Sequence, residues 1–212
     1  MEPTRICLVR HGETLWNAEK RIQGHTDIAL APRGLVQAEA AARCLSSQPV
    51  HALYSSDLLR ARQTANCIAG ALGLPLTLLP AFRERRYGLF EGLTYAEARV
   101  LHPADYQAFE RRDPDFALPE GGESLRQLYQ RVSQQLQHLA EAHPGQKVVL
   151  VTHGGVLDVV NRFVRGTPLD APRDFLIPNA GMSWLNANAG RWTLERWGDT
   201  RHLESVGLDE LP

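Results

Sequence analysis

The chain has 212 residues, 43% of them hydrophobic and 22% charged, with a formal net charge of −1. That length supports one well-buried core, and the composition excludes a disordered or fibrous protein. The near-neutral charge excludes a polybasic protein that coats nucleic acid or an anionic membrane, so a small molecule is the expected partner.

Cys7, Cys44 and Cys67 form no CxxC pair and are odd in number, the pattern of a reducing compartment rather than of a disulfide framework. Met1-Glu2-Pro3-Thr4-Arg5 leads straight into a short apolar run, without the long hydrophobic region of a signal peptide. No later stretch reaches membrane-spanning length, so a cytoplasmic location without membrane contact is expected.

Ile6-Cys7-Leu8-Val9 is too short for a helix and reads as a buried strand. A helix follows from about Arg33, with Leu35, Ala38, Ala42 and Leu45 at helical spacing and Pro32 suited to its first turn. Ala52-Leu53-Tyr54-Ser55 reads as a second strand. From Leu58 to Leu72 an alanine-rich helix runs to the stop signal Gly73 before Pro75, and Leu76-Thr77-Leu78-Leu79 is a third strand.

Between Arg83 and Gly122 the pattern loosens into short pieces punctuated by Pro103, Pro114 and Pro119, one opening on the capping box Thr94-Tyr95-Ala96-Glu97. This predicts an inserted cap at about 85–121. A long helix from about Ser124 carries Leu125, Leu128, Val132, Leu136 and Leu139 on one face and ends near Pro144-Gly145. Glu123 and Ser124 read as its start, since such groups satisfy or complement exposed N–H donors.

Val148-Val149-Leu150-Val151 is apolar on both faces, as a central parallel strand should be, and a helix through Val160 and Phe163 follows it. Met182–Leu185 and Arg191–Leu194, joined by Asn186-Ala187-Asn188-Ala189-Gly190, predict a closing hairpin of edge strands. The expected architecture is a three-layer α/β/α fold, with a mostly parallel central sheet, an antiparallel edge and a small inserted cap, in one catalytic domain over 1–212.

Two strands end alike, the first in Val9-Arg10-His11-Gly12 and the central one in Val151-Thr152-His153-Gly154-Gly155. Ligands of open parallel sheets sit outside the carboxyl ends of the strands, so His11 and His153 are expected to face one crevice. The glycines let backbone approach a ligand, and a helix starting there aims free N–H groups at an anion. Arg10, with Arg60 and Arg62 after another strand end, supplies forks matched to phosphate oxygens. Arg62 also reads as an exposed surface charge.

These residues resemble the histidine phosphatase superfamily, which includes cofactor-dependent phosphoglycerate mutases and many small-molecule phosphatases. The resemblance rests on Arg10-His11-Gly12-Glu13-Thr14-Leu15-Trp16-Asn17, Arg21 to Asp27, Ser55 to Ala65, Arg83-Glu84, Gly88-Leu89-Phe90-Glu91-Gly92, Gly121 to Ser124 and Thr152-His153-Gly154-Gly155, in family order over most of the chain. It implies His11 as nucleophile, Arg10, Arg60 and His153 as holders of the phosphoryl oxygens, and Glu84 as proton donor. Asn17, Gln23, Gly24 and Gly154 correspond to pocket residues. No metal or other cofactor is implied, and the partner is a small phosphorylated metabolite bound by a monomer or homodimer.

The insertion resembles the phosphatase branch, so a phosphatase acting on a small phosphate monoester is the expectation, with a phosphoglycerate mutase as the alternative. Arg111-Arg112 favours the alternative if it binds a second anionic group, as an arginine pair does in mutases; otherwise it is exposed helix-end charge. Tyr87, Tyr95, Tyr106 and Phe109 are expected to shape or pack the cap. A non-catalytic phospho-ligand module is a further reading, disfavoured by the presence of both His11 and Glu84. A serine hydrolase lacks its GxSxG signature.

Overall fold

A computed structural model describes residues 2–204. Strand β1 (Thr4–Arg10) is followed by the short helix α1 (Leu15–Ala18) and by α2 (Pro32–Ser46). Then come β2 (Ala52–Ser55), α3 (Leu59–Leu72), β3 (Leu76–Leu78), α4 (Tyr95–Leu101) and α5 (Pro103–Glu110). The chain continues through α6 (Leu125–Ala142), β4 (Lys147–Thr152), α7 (Gly154–Arg165), β5 (Met182–Asn188) and β6 (Arg191–Asp199).

The six strands form one sheet in the order β3-β2-β4-β1-β5-β6. The first four are parallel, while β5 pairs antiparallel with β1 and β6. Strand alternation sorts the core into two faces. Ile6, Leu8, Val148 and Leu150 pack against α6 and α7, whereas Cys7, Val9, Val149 and Val151 pack against α2 and α3. The fold is therefore a three-layer α/β/α sandwich with an antiparallel edge, as the alternating apolar runs predict.

Local signals account for the helix starts. Pro32 occupies the first turn of α2, and Ser124 caps α6 in a capping box with Gln127. Thr94 caps α4 with Glu97, also as expected. The hairpin departs from its prediction: β5 is internal, between β1 and β6, and the five-residue loop contracts to Ala189-Gly190. Those two residues take φ of 48° and 78°, the signature of a tight turn whose twist matches the strands, so Asn186–Asn188 continue pairing.

The segment between Arg83 and Gly122 stands apart from the sheet layers in its own small cluster. Phe90, Ala98, Tyr106 and Leu118 pack there with Ile22 from the β1–α2 connection. Among the described residues no helix is long and apolar enough to cross a membrane.

Candidate active site

Strands β1 and β4 are adjacent and parallel, with Arg10 opposite Thr152, so His11 and His153 leave the sheet side by side. Their ring centroids are 5.2 Å apart, at an interplanar angle of 58°. The His11 amide still donates to the Thr152 carbonyl at 2.9 Å, extending the ladder into the site. Backbone pairing thus positions the two rings before any side-chain contact does.

His11 Nδ1 lies 2.7 Å from the Gly12 carbonyl oxygen. A carbonyl only accepts, so Nδ1 carries the hydrogen and Nε2 keeps its lone pair. Burial disfavours the imidazolium, as do the charges of Arg60 and Arg10, and together they hold His11 well below the usual histidine range. The ring is therefore neutral at ordinary pH, with Nε2 free to act as a base or nucleophile.

His153 caps α7 and is fully buried. Its Nε2 lies 2.8 Å from Ser56 Oγ, and its Nδ1 has no partner among the described residues. Burial, followed by Arg60 and His11, also pushes this ring well below the ordinary histidine range.

Arg60, fully buried on α3, donates from Nη1 to the Thr26 carbonyl at 3.0 Å and from Nη2 to the Gly24 carbonyl at 2.7 Å. Burial lowers its pKa to about 10, leaving it cationic at neutral pH. Arg10 donates from Nη1 to the Ile177 carbonyl, and burial likewise lowers its pKa. The Nε of each guanidinium is buried without a partner among the described residues, as is Gln23 Oε1. Buried polar atoms are ordinarily satisfied, so unspent donors on two arginines beside a neutral histidine mark an anion site.

The loop that braces Arg60 depends on Gly24, whose φ is 53° and whose added Cβ would lie 2.1 Å from Glu91 Oε1. Glu91 in turn accepts from the His25 amide at 3.1 Å, the Tyr87 amide at 3.0 Å and Thr26 Oγ1 at 3.2 Å. This one carboxylate ties the β1–α2 connection to the insertion.

Glu84 is buried, with Oε1 accepting from the Arg85 amide at 2.7 Å and Oε2 from the Gly155 amide at 3.0 Å. A Cβ at Gly155 would lie 2.3 Å from Glu84 Oε1, so the helix start must carry glycine for the carboxylate to reach it. The Glu84 carbonyl is pinned by Arg131 Nη2 at 3.0 Å, and Arg131 is itself held by both oxygens of Glu123. Glu123 therefore supports the site through the backbone rather than lining it.

These groups surround a cavity of about 380 Å³, in the range that holds a small metabolite. Eight of the nine residues assigned to the site from the sequence line it: Arg10, His11, Asn17, Gln23, Gly24, Arg60, Glu84 and Gly154. His153, the ninth, stands behind the wall against His11. Tyr87 and Tyr95 line the cavity, while Tyr106 and Phe109 pack within the insertion.

Arg62 and Arg111 are exposed and line no part of it. Arg112 is spent elsewhere, donating from Nη2 to Asp158 Oδ2 at 2.6 Å and from Nε to the Leu169 carbonyl at 3.1 Å. Neither arginine of the pair lines the cavity.

Sequence reasoning missed Arg21, Arg173 and Phe175 to Ile177 on the wall, and Ser56 and Asp158 behind it. Asp158 carried a signal: a lone carboxylate inside Val156-Leu157-Asp158-Val159-Val160 calls for buried partners. Arg173 lies in an irregular connection with no periodicity to betray its direction.

Residues 6–200 match the family model described as the histidine phosphatase superfamily, branch 1. A phosphoglycerate mutase-like protein 4 of Arabidopsis thaliana is 40% identical over 205 residues, covering 96% of this chain and 88% of that protein. A metal-independent phosphoserine phosphatase of the same plant is 41% identical over 210 residues, covering 98% and 86% respectively. The solved structure of a mycobacterial glucosyl-3-phosphoglycerate phosphatase in complex with VO3 superposes with a TM-score of 0.84 at 30% identity, covering 93% of this chain and all of that one. With the paired strand-end histidines and buried arginines already in place, the chain belongs to the histidine phosphatase superfamily, branch 1.

Proposed function

We propose that the protein is a metal-independent phosphatase that hydrolyses a small-molecule phosphate monoester through a phosphohistidine on His11. The observation that carries this reading is the neutral His11 ring, its Nδ1 hydrogen committed to Gly12, beside the unpartnered Nε atoms of Arg10 and Arg60. His11 Nε2 attacks phosphorus as the ester P–O bond breaks, and Glu84 gives a proton to the departing oxygen. Arg10 and Arg60 balance the charge on the equatorial oxygens, and the neutral His153, whose Nδ1 has no partner among the described residues, adds a hydrogen bond to them. Glu84, now a carboxylate, then takes a proton from water. That water's oxygen attacks phosphorus, the P–N bond breaks, and inorganic phosphate leaves with His11 restored.

In this reading residues 1–212 act as one catalytic unit, with 85–121 as a cap over the phosphoryl site. Asn17, Gln23, Gly24 and Gly154 orient the ester rather than make bonds. The phosphatase reading is preferred over a mutase because the insertion, with Phe90-Glu91-Gly92-Leu93-Thr94, resembles the phosphatase branch.

Enzyme quenched in mid-turnover with a phosphate monoester should carry acid-labile phosphate on His11, while releasing free phosphate in the presence of EDTA. Phosphoglycerate isomerisation without phosphate release would overturn the reading in favour of a mutase. Glu84→Gln should slow alkyl phosphates by roughly 10²-fold or more and aryl phosphates less, because alkoxides depend more on a proton donor. Equal losses on both would remove Glu84 from the acid role.

A further inference from the structure

Asp158 is the one acidic residue inside the apolar stretch that opens α7, and its side chain is only 3% exposed. Three arginines converge on it from separate parts of the chain. Arg112 comes from the insertion at 2.6 Å, Arg162 from one helical turn further along at 3.3 Å, and Arg173 from the connection between α7 and β5 at 2.9 Å. One carboxylate cannot neutralise three guanidiniums, so the cluster keeps an excess of positive charge at the edge of the cavity.

The three cations are spent differently. Arg162 is fully buried and gives Nη1 to the Pro168 carbonyl, while Arg112 gives Nε to the Leu169 carbonyl. Only Arg173 lines the cavity. Asp158 Oδ1 takes its Nε, and neither terminal nitrogen is engaged by the described residues. The guanidinium is fixed at its stem side and presents a two-pronged donor edge, the geometry that matches a carboxylate.

The other arginines of the wall are accounted for. Arg10 and Arg60 flank His11, and Arg21 is paired with Glu19 and Glu97. Arg173 acts electrostatically on Arg10, Tyr87 and Tyr95, whereas the cations acting on His11 are Arg60 and Arg10. It lines the same cavity as Arg10, His11 and Arg60, with Tyr87 and Tyr95 of the insertion also on the wall.

We propose that Arg173, held by Asp158, is a second anion subsite, and that the substrate is a phosphate monoester bearing a carboxylate near the ester. This rests on the phosphatase reading above and adds the group that the cavity reads. Asp158 is a positioning residue: it spends Nε so that the remaining edge of Arg173 faces the ligand.

The test uses two substrate pairs that differ at the carboxylate, O-phosphoserine against O-phosphoethanolamine and 3-phosphoglycerate against glycerol phosphate, with p-nitrophenyl phosphate as a control. The native enzyme should favour the carboxylated member of at least one pair by tenfold or more in kcat/KM, the scale of a charge-assisted hydrogen bond. Arg173→Met should erase that ratio, mainly through KM on the carboxylated substrates, and should lower activity on p-nitrophenyl phosphate by a smaller factor than on them. Arg173→Lys should restore part of the ratio, which a purely structural loss would not allow. Hydrolysis of the aryl ester with no carboxylate preference in the native enzyme, or equal losses on all substrates in Arg173→Met, overturns the subsite alone. Absence of any hydrolysis by the native enzyme overturns the phosphatase reading and the subsite with it.

Discussion

The segments Arg10-His11-Gly12 and Thr152-His153-Gly154 end neighbouring parallel strands in nearly the same way, yet they place their rings in different situations. His11 borders the cavity and commits Nδ1 to a backbone carbonyl one residue on, which leaves Nε2 for the ligand. His153 lies behind it and commits Nε2 to the hydroxyl of Ser56. On the proposed mechanism, the difference between the two nitrogens fixed by the protein, more than the shared motif, is what would distinguish a nucleophile from a supporting group.

The largest expected effect breaks the pair at His11. His11→Ala should lower kcat/KM by roughly 10⁴-fold or more, since removing a nucleophile removes the covalent route and leaves only binding and electrostatics. Full activity in that variant, measured with p-nitrophenyl phosphate, would sink the assignment. His153→Ala should cost less, roughly 10²-fold, the scale of losing one donor to a charged transition state. If His153→Ala proved the more damaging, with its fold intact by circular dichroism, the roles would have to be exchanged.

Acid sharpens the comparison in a different way, because here the two rings should behave alike. Both are held neutral by burial, with folded pKa values well below the 6.5 of an unconstrained histidine. The unfolded chain takes up a proton on each as pH falls through that value, and the folded chain does not. Their contribution to stability is therefore fully present above about pH 6.5 and is lost below it, by up to about 1.4 kcal/mol per pH unit for each ring. Urea unfolding at pH 7.5 and 5.5 should show this slope, and His11→Gln and His153→Gln should each reduce it by about one proton equivalent. An unchanged slope in either variant would mean that its ring is protonated in the fold.

The pairing of the two histidines was legible because it follows from local patterns, two apolar runs ending in the same residues on strands that the sheet makes neighbours. The supports were not. Ser56 lies in a block quoted for the family resemblance, but its bond to His153 joins residues 97 positions apart. Helix α1 spans four residues, too few for any periodicity, and its only mark is the capping box between Thr14 and Asn17. Arg112 reads as a helix-end charge beside Arg111, and only the fold brings it to Asp158. Strand periodicity reports what faces the core, whereas the direction of a long charged side chain depends on partners elsewhere in the chain.

The smallest expected effect tests whether the ring contacts themselves set the two roles. Each histidine segment is braced by a hydroxyl near or on α3: Ser56 meets the His153 ring at 2.8 Å, and Thr64 Oγ1 accepts from the Gly12 amide at 3.0 Å. Ser56→Ala leaves a buried ring nitrogen without its partner and removes what fixes the tautomer of His153, so kcat/KM should fall roughly tenfold. Thr64→Val removes a bond to backbone that the strand ladder already holds through the His11 amide, and should cost about threefold or less. Ser56→Thr, which keeps the hydroxyl, should recover much of the loss seen in Ser56→Ala. A larger loss in Thr64→Val than in Ser56→Ala would shift the explanation from ring orientation to placement of the His11 backbone.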